Sequence, residues 1–294
     1  MLEGCLTAMI TPFREGRVDD AAVCRLVARQ LEGGISGLVV CGTTGESPTL
    51  DREERRGLLR LVVEQVGRVI PVWMGTGSYS TADSIERTED AAADGADGAL
   101  VVSPYYNRPG VDGLRAHFLA IADASTIPMM LYDIPSRTGS RLGPELCLEL
   151  ARHERIVAVK DAVGSLNDAM TMIGAGLPVL SGDDIHTLPW MAVGARGVVS
   201  VASNVVPAEI SALVQEVASG DGKAARRRHF RLLDLTRSLF LESNPGPVKA
   251  LLSEMGLCTA EVRLPLTQAS TATREAVCAA YDRAMEDRAE AAGQ

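Results

Sequence analysis

The chain has 294 residues, 46% of them apolar, enough to bury a sizeable core in one large domain or two ordinary ones. Its formal net charge of −9 argues against nucleic acid or an anionic membrane as the main partner. The six cysteines are scattered without a C-x-x-C pair and the four histidines lack metal-ligand spacing, so the sequence predicts reduced thiols, a cytoplasmic setting and no metal site.

Met1 to Cys5 lacks the basic-then-apolar pattern of a leader, and no apolar run approaches the ~20 residues that span a bilayer. Short apolar runs then recur with the period of a strand-plus-helix unit. They predict strands at Leu6–Ile10, Gly37–Val40, Ile70–Met74, Gly98–Val102, Pro128–Tyr132, Ile156–Lys160, Pro178–Ser181 and Gly197–Ser200. Asp19–Gly33, Asp51–Val66, Ser80–Asp94 and Asp112–Ala124 are amphipathic helices that open on Asp or Ser, as N-caps do. No capping box is read at Thr49 to Arg52. From Pro207 onward the pattern is helical only, over Ala208–Ser219, Lys223–Leu241, Pro247–Met255 and Thr271–Ala291. The basic run Arg226–Arg228 reads as a solvated helix face.

Eight such units fit an α/β fold of the closed (β/α)8 TIM barrel type over residues 1–220, with a C-terminal helical extension over 221–294. A doubly wound open sheet is the competing architecture. Gly75-Thr76-Gly77 lacks the third glycine of a dinucleotide fingerprint, and polar residues cluster at many strand ends, which favours the barrel.

Those strand ends carry the chemistry. After the second strand, Cys41-Gly42-Thr43-Thr44-Gly45-Glu46-Ser47 reads either as an anion cradle of backbone N–H and hydroxyl donors or as a plain glycine-rich turn before the next helix. It is not a Walker loop, since no lysine follows the glycine. Ser103-Pro104-Tyr105-Tyr106-Asn107-Arg108 spends two of the chain's five tyrosines in one loop, where packing competes with acid–base work. Tyr132 ends the fifth strand, beside the strand that ends in Lys160. Arg137, in a loop rich in Pro and Gly, is either a surface ion pair or a fork for a carboxylate.

Lys160 is one of only three lysines, with Lys223 and Lys249, against 26 arginines among 29 basic residues. It closes the apolar run Ile156-Val157-Ala158-Val159, where an ammonium needs a carboxylate partner or gives up its proton to act as a nucleophile toward carbonyl carbon. Asp161 and Asp183 are the candidate partners, although strand neighbours such as Lys160 and Asp161 point to opposite faces.

At these residues the sequence resembles the dihydrodipicolinate synthase / N-acetylneuraminate lyase family of pyruvate-dependent class I aldolases. Its motifs are Thr7–Phe13, Gly42–Ser47, Tyr105–Pro109, Tyr132–Gly139, Val159–Asp161 and Ser181–Asp184, in that order, with Asn244–Lys249 in the tail. Pro135-Ser136-Arg137-Thr138-Gly139 and the double threonine match the synthase branch, whereas sugar-acid lyases of the family generally lack that arginine.

The resemblance implies an imine between Lys160 and pyruvate, with no other cofactor. It implies that Thr44 and the Gly42–Gly45 main chain hold the pyruvate carboxylate, with the Val199 region closing the pocket. Tyr132 is then the proton donor and acceptor, linked by Thr43 to a Tyr106 from a neighbouring subunit, and Arg137 grips aspartate semialdehyde. The implied product is hydroxytetrahydrodipicolinate, a precursor in lysine and diaminopimelate biosynthesis, and the implied assembly is a homotetramer, a dimer of dimers. Another pyruvate aldolase or dehydratase, acting on a sugar acid or other aldehyde, and a non-catalytic pyruvate-binding barrel are the alternatives. Asp133 stands where many synthases have Asn, and Gly110-Val111-Asp112-Gly113 replaces a commoner Gln-Glu-Gly pattern. Arg52, Arg55 and Tyr79 differ from the residues of lysine-inhibited members, which implies weak lysine inhibition or none.

Overall fold

The computed structural model describes the backbone of residues 2–292 and the side chains of residues 2–286. Eight parallel strands close on themselves: β1 (Gly4–Ala8), β2 (Gly37–Val40), β3 (Val72–Gly75), β4 (Gly98–Val102), β5 (Met129–Asp133), β6 (Ile156–Asp161), β7 (Val179–Ser181) and β8 (Gly197–Ser200). β1 pairs with both β2 and β8, so the sheet has no edge and the open-sheet alternative falls. All eight expected strands are present. The first starts at Gly4 and stops at Ala8, because the Ile10 N–H goes to the Asn204 side chain (3.1 Å) instead of a neighbouring strand.

The helices around the barrel are α1 (Asp20–Glu32), α2 (Arg52–Val66), α3 (Thr81–Ala93), α4 (Val111–Ala124), the single turn α5 (Pro135–Thr138), α6 (Gly143–Leu150), α7 (Leu166–Gly174), α8 (Thr187–Ala192) and α9 (Pro207–Ala218). Asp19, Ser80 and Ser165 cap α1, α3 and α7 by accepting a first-turn N–H. A capping box does open α2, one pair away from the residues tested in the sequence. Asp51 accepts the Glu54 N–H (2.8 Å) while the Glu54 carboxylate accepts the Asp51 N–H (3.1 Å). A two-stranded hairpin, Phe13–Arg14 with Arg17–Val18, follows β1 and was not expected.

The tail folds as α10 (Gly222–Ser238), α11 (Gly246–Glu254) and α12 (Thr271–Ala292). The helix expected to reach Leu241 stops at Ser238. Met1 and the last two residues of the expected extension lie outside the described residues. Among the described residues, no helix is long and apolar enough to cross a membrane.

Three apolar clusters hold these layers together. The barrel interior is filled by Leu6, Val39, Trp73, Leu100, Met130, Leu180 and Val199 with Tyr132. A second cluster lies outside β4–β7, built with Leu114, Phe118, Leu146 and Trp190. The largest joins α1 and α2 to the tail, bringing Val23 and Leu59 together with Leu235, Leu251 and Val277. That shared core carries the segment after α10 to the C-terminal end of the barrel, over the site.

Candidate active site

Alternation along β6 places Lys160. Ala158 belongs to the interior cluster and Val159 to the outer one, so Lys160 returns to the interior and Asp161 leaves it. Lys160 is 5% exposed and is the register partner of Tyr132 on β5. Its Nζ lies 4.2 Å from the centre of the Tyr132 ring. Neither candidate carboxylate pairs with it. Asp161 Oδ1 accepts the Val163 N–H (2.7 Å), and Asp183 Oδ1 accepts the Ile185 N–H (3.2 Å) with its other oxygen 3.9 Å from His186. The Lys160 amine has no hydrogen bond or ion pair among the described residues, which leaves its nitrogen free to attack a carbonyl carbon.

A cleft of about 300 Å³ opens at the strand ends, with Thr43, Tyr132 and Arg137 in its walls beside Tyr105, Asn244 and Leu266. β3 ends in Gly75 because nothing larger fits: a Cβ there would lie 2.2 Å from the Cys41 carbonyl oxygen. The loop that follows Cys41 begins and ends on non-glycine residues in the left-handed region, Cys41 (φ 52°) and Glu46 (φ 54°). Each costs about 1–2 kcal/mol and persists only where the surroundings impose it.

Between them, the N–H groups of Thr43, Thr44 and Gly45 have no acceptor among the described residues, while those of Glu46 and Ser47 turn back to Thr43 and Gly42. Asn244 Nδ2 donates to Thr44 Oγ1 (2.9 Å), so the Thr44 hydroxyl keeps its own proton to donate. Unpaired N–H groups and a hydroxyl with its proton to give, on one turn, are the donor set that an anion cradle requires.

Arg137 sits on α5, started by Pro135 and closed by Gly139, and faces the cleft with no carboxylate partner among the described residues. The surface ion pair that is the alternative for it is not formed among the described residues. Val199 is fully buried among the interior residues beside Tyr132. Tyr106 is the residue the chain does not bring in: it is 90% exposed, in the left-handed region at φ 70°. Its neighbour Tyr105 takes the wall position and packs edge-on against Tyr79, with ring centres 5.5 Å apart. Within one chain no hydrogen bond links Thr43 to either Tyr132 or Tyr106 among the described residues.

The model of the dihydrodipicolinate synthetase family matches residues 1–284. The chain belongs to that family. A relative from Pelobacter propionicus (strain DSM 2379 / NBRC 103807 / OttBd1), named 4-hydroxy-tetrahydrodipicolinate synthase, is 47% identical over 282 residues, covering 95% of this chain and 97% of its own. The solved 4-hydroxy-tetrahydrodipicolinate synthase of the thermoacidophilic methanotroph Methylacidiphilum fumariolicum SolV superposes with a TM-score of 0.97 at 44% identity, covering 99% of this chain and 98% of that one. A dihydrodipicolinate synthase variant described as monomeric matches at 37% identity and a TM-score of 0.94, covering 96% of each chain.

Sequence reasoning assigned no role to Asn244, Tyr105 or Leu266, all of which line the cleft of this family member. Asn244 lay inside a quoted family motif, and that was its available signal. The departure at Asp133 also has a structural consequence. Asp133 and Asp161 are register partners at the ends of β5 and β6, both buried on the face opposite Tyr132 and Lys160. Asp133 accepts the Leu142 N–H (3.1 Å), and its other oxygen has no partner.

Burial raises the pKa of Asp133, and burial with the neighbouring Asp133 charge pushes Asp161 up to about 6. A carboxyl raised from 3.8 by folding contributes stability that is complete below about pH 4 and lost as pH rises through about 6. Asp161→Asn is therefore expected to raise the melting temperature by several degrees at pH 7.5, from about 3 kcal/mol, and to change nothing at pH 4. Melting curves at the two pH values check this, and equal shifts at both would contradict it.

Proposed function

We propose that this chain condenses pyruvate with L-aspartate 4-semialdehyde to 4-hydroxy-tetrahydrodipicolinate, as a Schiff-base lyase of lysine and diaminopimelate biosynthesis. The observation that carries the reading is the free Lys160 amine against the Tyr132 ring, next to a cleft with an open anion cradle and an unpaired Arg137. Family membership and the names of the relatives support the same reaction.

Lys160 Nζ attacks the ketone carbon of pyruvate and water leaves, giving an imine. The pyruvate carboxylate sits on the Thr43, Thr44 and Gly45 N–H groups and the Thr44 hydroxyl, with the Val199 region closing the pocket from the buried barrel interior. The imine acidifies the methyl group, which loses a proton to become an enamine, and the Tyr132 hydroxyl moves protons at each step. Arg137 holds the semialdehyde carboxylate with two parallel N–H bonds. The enamine carbon attacks the aldehyde, and the new alkoxide takes its proton from Tyr132. The substrate's own amine then displaces Lys160 from the imine carbon, closing the ring and freeing the lysine. The covalent imine supplies the electron sink, so the scheme calls for no metal and no other cofactor.

Thr43 completes a proton path from Tyr132 only when a Tyr106 comes from a second copy, and the 90% exposure of Tyr106 supports that assignment. The active unit is then at least a dimer. A homotetramer follows if the exposed apolar residues Leu166, Met170 and Val193 pair two such dimers, which sedimentation of the active protein tests. All six cysteines are free and four are buried, which supports a reducing, cytoplasmic setting.

Weak lysine inhibition also follows. Arg52 is held by Glu86 (2.6 Å) and Asp90 (2.7 Å), and Arg55 lies near Arg87, whose charge, after burial, pulls its pKa down. A lysine ammonium approaching Arg55 and Arg87 meets like charge, and the carboxylates beside Arg52 are already engaged by it. Millimolar L-lysine is expected to leave the rate unchanged, and half-maximal inhibition at sub-millimolar lysine would contradict this. The reaction itself is tested by a coupled reductase assay. Pyruvate with the semialdehyde is expected to give product, and turnover only with sugar aldehydes would overturn the substrate assignment.

A further inference from the structure

Of the three lysines, Lys249 is the one that neither the site nor the surface explains. It lies on α11 in the run Gly246–Leu252, every residue of which is buried, and neither its side chain nor that of Glu46 has any solvent exposure. A charge among Val248, Leu251 and Leu252 is costly to bury, and a methionine would fill the same space.

The lysine spends its donors on specific partners. Nζ pairs with Glu46 Oε1, donates to the Glu261 carbonyl (2.8 Å) and lies 4.2 Å from the centre of the Phe13 ring. Glu46 Oε2 accepts the Arg263 N–H (2.9 Å). Both oxygens of Glu46 are thus held by residues more than 200 positions later in the chain.

Glu46 is also the left-handed residue that closes the cradle turn, bonded by its N–H to Thr43 (3.1 Å) and by its carbonyl to Thr49 (3.0 Å). Thr43, Thr44 and Gly45, with their open N–H groups, come immediately before it. Burying an ion pair is poor value for stability, but it fixes one geometry, because a shifted partner would leave a buried charge unpaired. Asn244 from the same tail fixes the Thr44 hydroxyl, so two tail residues hold two cradle residues.

We propose that Lys249 is a positioning residue for the reaction: its buried pair with Glu46 holds the 42–47 turn in the shape that binds the pyruvate carboxylate. This rests on the cradle role given above. The test compares Lys249→Met, Glu46→Gln and the double variant with Leu251→Ala, a core truncation on the same helix. For each, the melting temperature, kcat, the KM for each substrate and borohydride trapping of pyruvate are measured.

Lys249→Met is expected to melt earlier and to raise the pyruvate KM by at least about tenfold, with the semialdehyde KM within about twofold. The double variant removes the unpaired charge and is expected to regain melting temperature while keeping the high pyruvate KM. Leu251→Ala should lose stability with KM unchanged. A folded double variant or Glu46→Gln with the wild-type pyruvate KM overturns the proposal, and these two decide it even if Lys249→Met fails to fold. Wild type that traps no pyruvate on Lys160 would fault the reaction scheme instead, which keeps the two failures apart.

Discussion

Lys160→Ala is expected to lower kcat for the condensation by at least about 10⁴-fold, the scale of losing the nucleophile of a covalent mechanism. The same variant should stay folded. Lys160 has no ion pair or hydrogen bond among the described residues, so truncating it strands no buried partner and removes only side-chain contacts such as that with the Tyr132 ring. Loss of activity without loss of the melting transition separates chemistry from folding. Neither Lys223 nor Lys249 can stand in, since Lys249 is locked to Glu46 and Lys223 is on the solvent side of α10. A coupled assay on protein of verified fold checks this, and residual activity above about 1% of wild type would contradict it.

Arg137→Ala is expected to separate the two substrates. Its guanidinium faces the cleft without a carboxylate partner among the described residues, so its strongest interaction is the one left for a ligand. Losing a two-bond charged contact costs roughly 3–4 kcal/mol, or about 10²–10³-fold in kcat/KM for the semialdehyde. In the proposed scheme pyruvate uses other donors, the Thr43 to Gly45 N–H groups and the Thr44 hydroxyl, so the pyruvate adduct should form as in wild type. Arg137→Lys should recover only part of the loss, because an ammonium replaces the charge without the planar fork. Steady-state kinetics in each substrate read the split. Loss of the pyruvate adduct in Arg137→Ala would place this arginine in the wrong half of the site.

The barrel was legible because its strands are buried on both faces and so read as short continuous apolar runs, repeated eight times. Lys160 was legible for the same reason: a charge that closes such a run breaks the pattern. What stayed hidden depends on contacts between distant segments. The Asn244 bond to Thr44 and the Lys249 pair with Glu46 join positions 200 or more residues apart, and local periodicity carries no trace of either. Lys249 had a signal of its own, a lysine inside the apolar run Val248-Lys249-Ala250-Leu251-Leu252, parallel to the one that marked Lys160.

The division of labour between Tyr105 and Tyr106 was equally invisible. A positive φ at Tyr106 turns one tyrosine into the wall and the other into solvent, and tyrosine has no propensity that announces it. The hairpin at Phe13–Val18 was too short to give a period, with two residues in each strand.

The most direct measurement traps the intermediate. Wild-type protein is incubated with pyruvate, reduced with borohydride, weighed intact and mapped by peptide. The expected result is one pyruvate-derived adduct per chain, on Lys160, absent from Lys160→Ala. An unmodified Lys160 in protein that turns over pyruvate, or an adduct on Lys249 or Lys223, would contradict the assignment of Lys160 as the nucleophile.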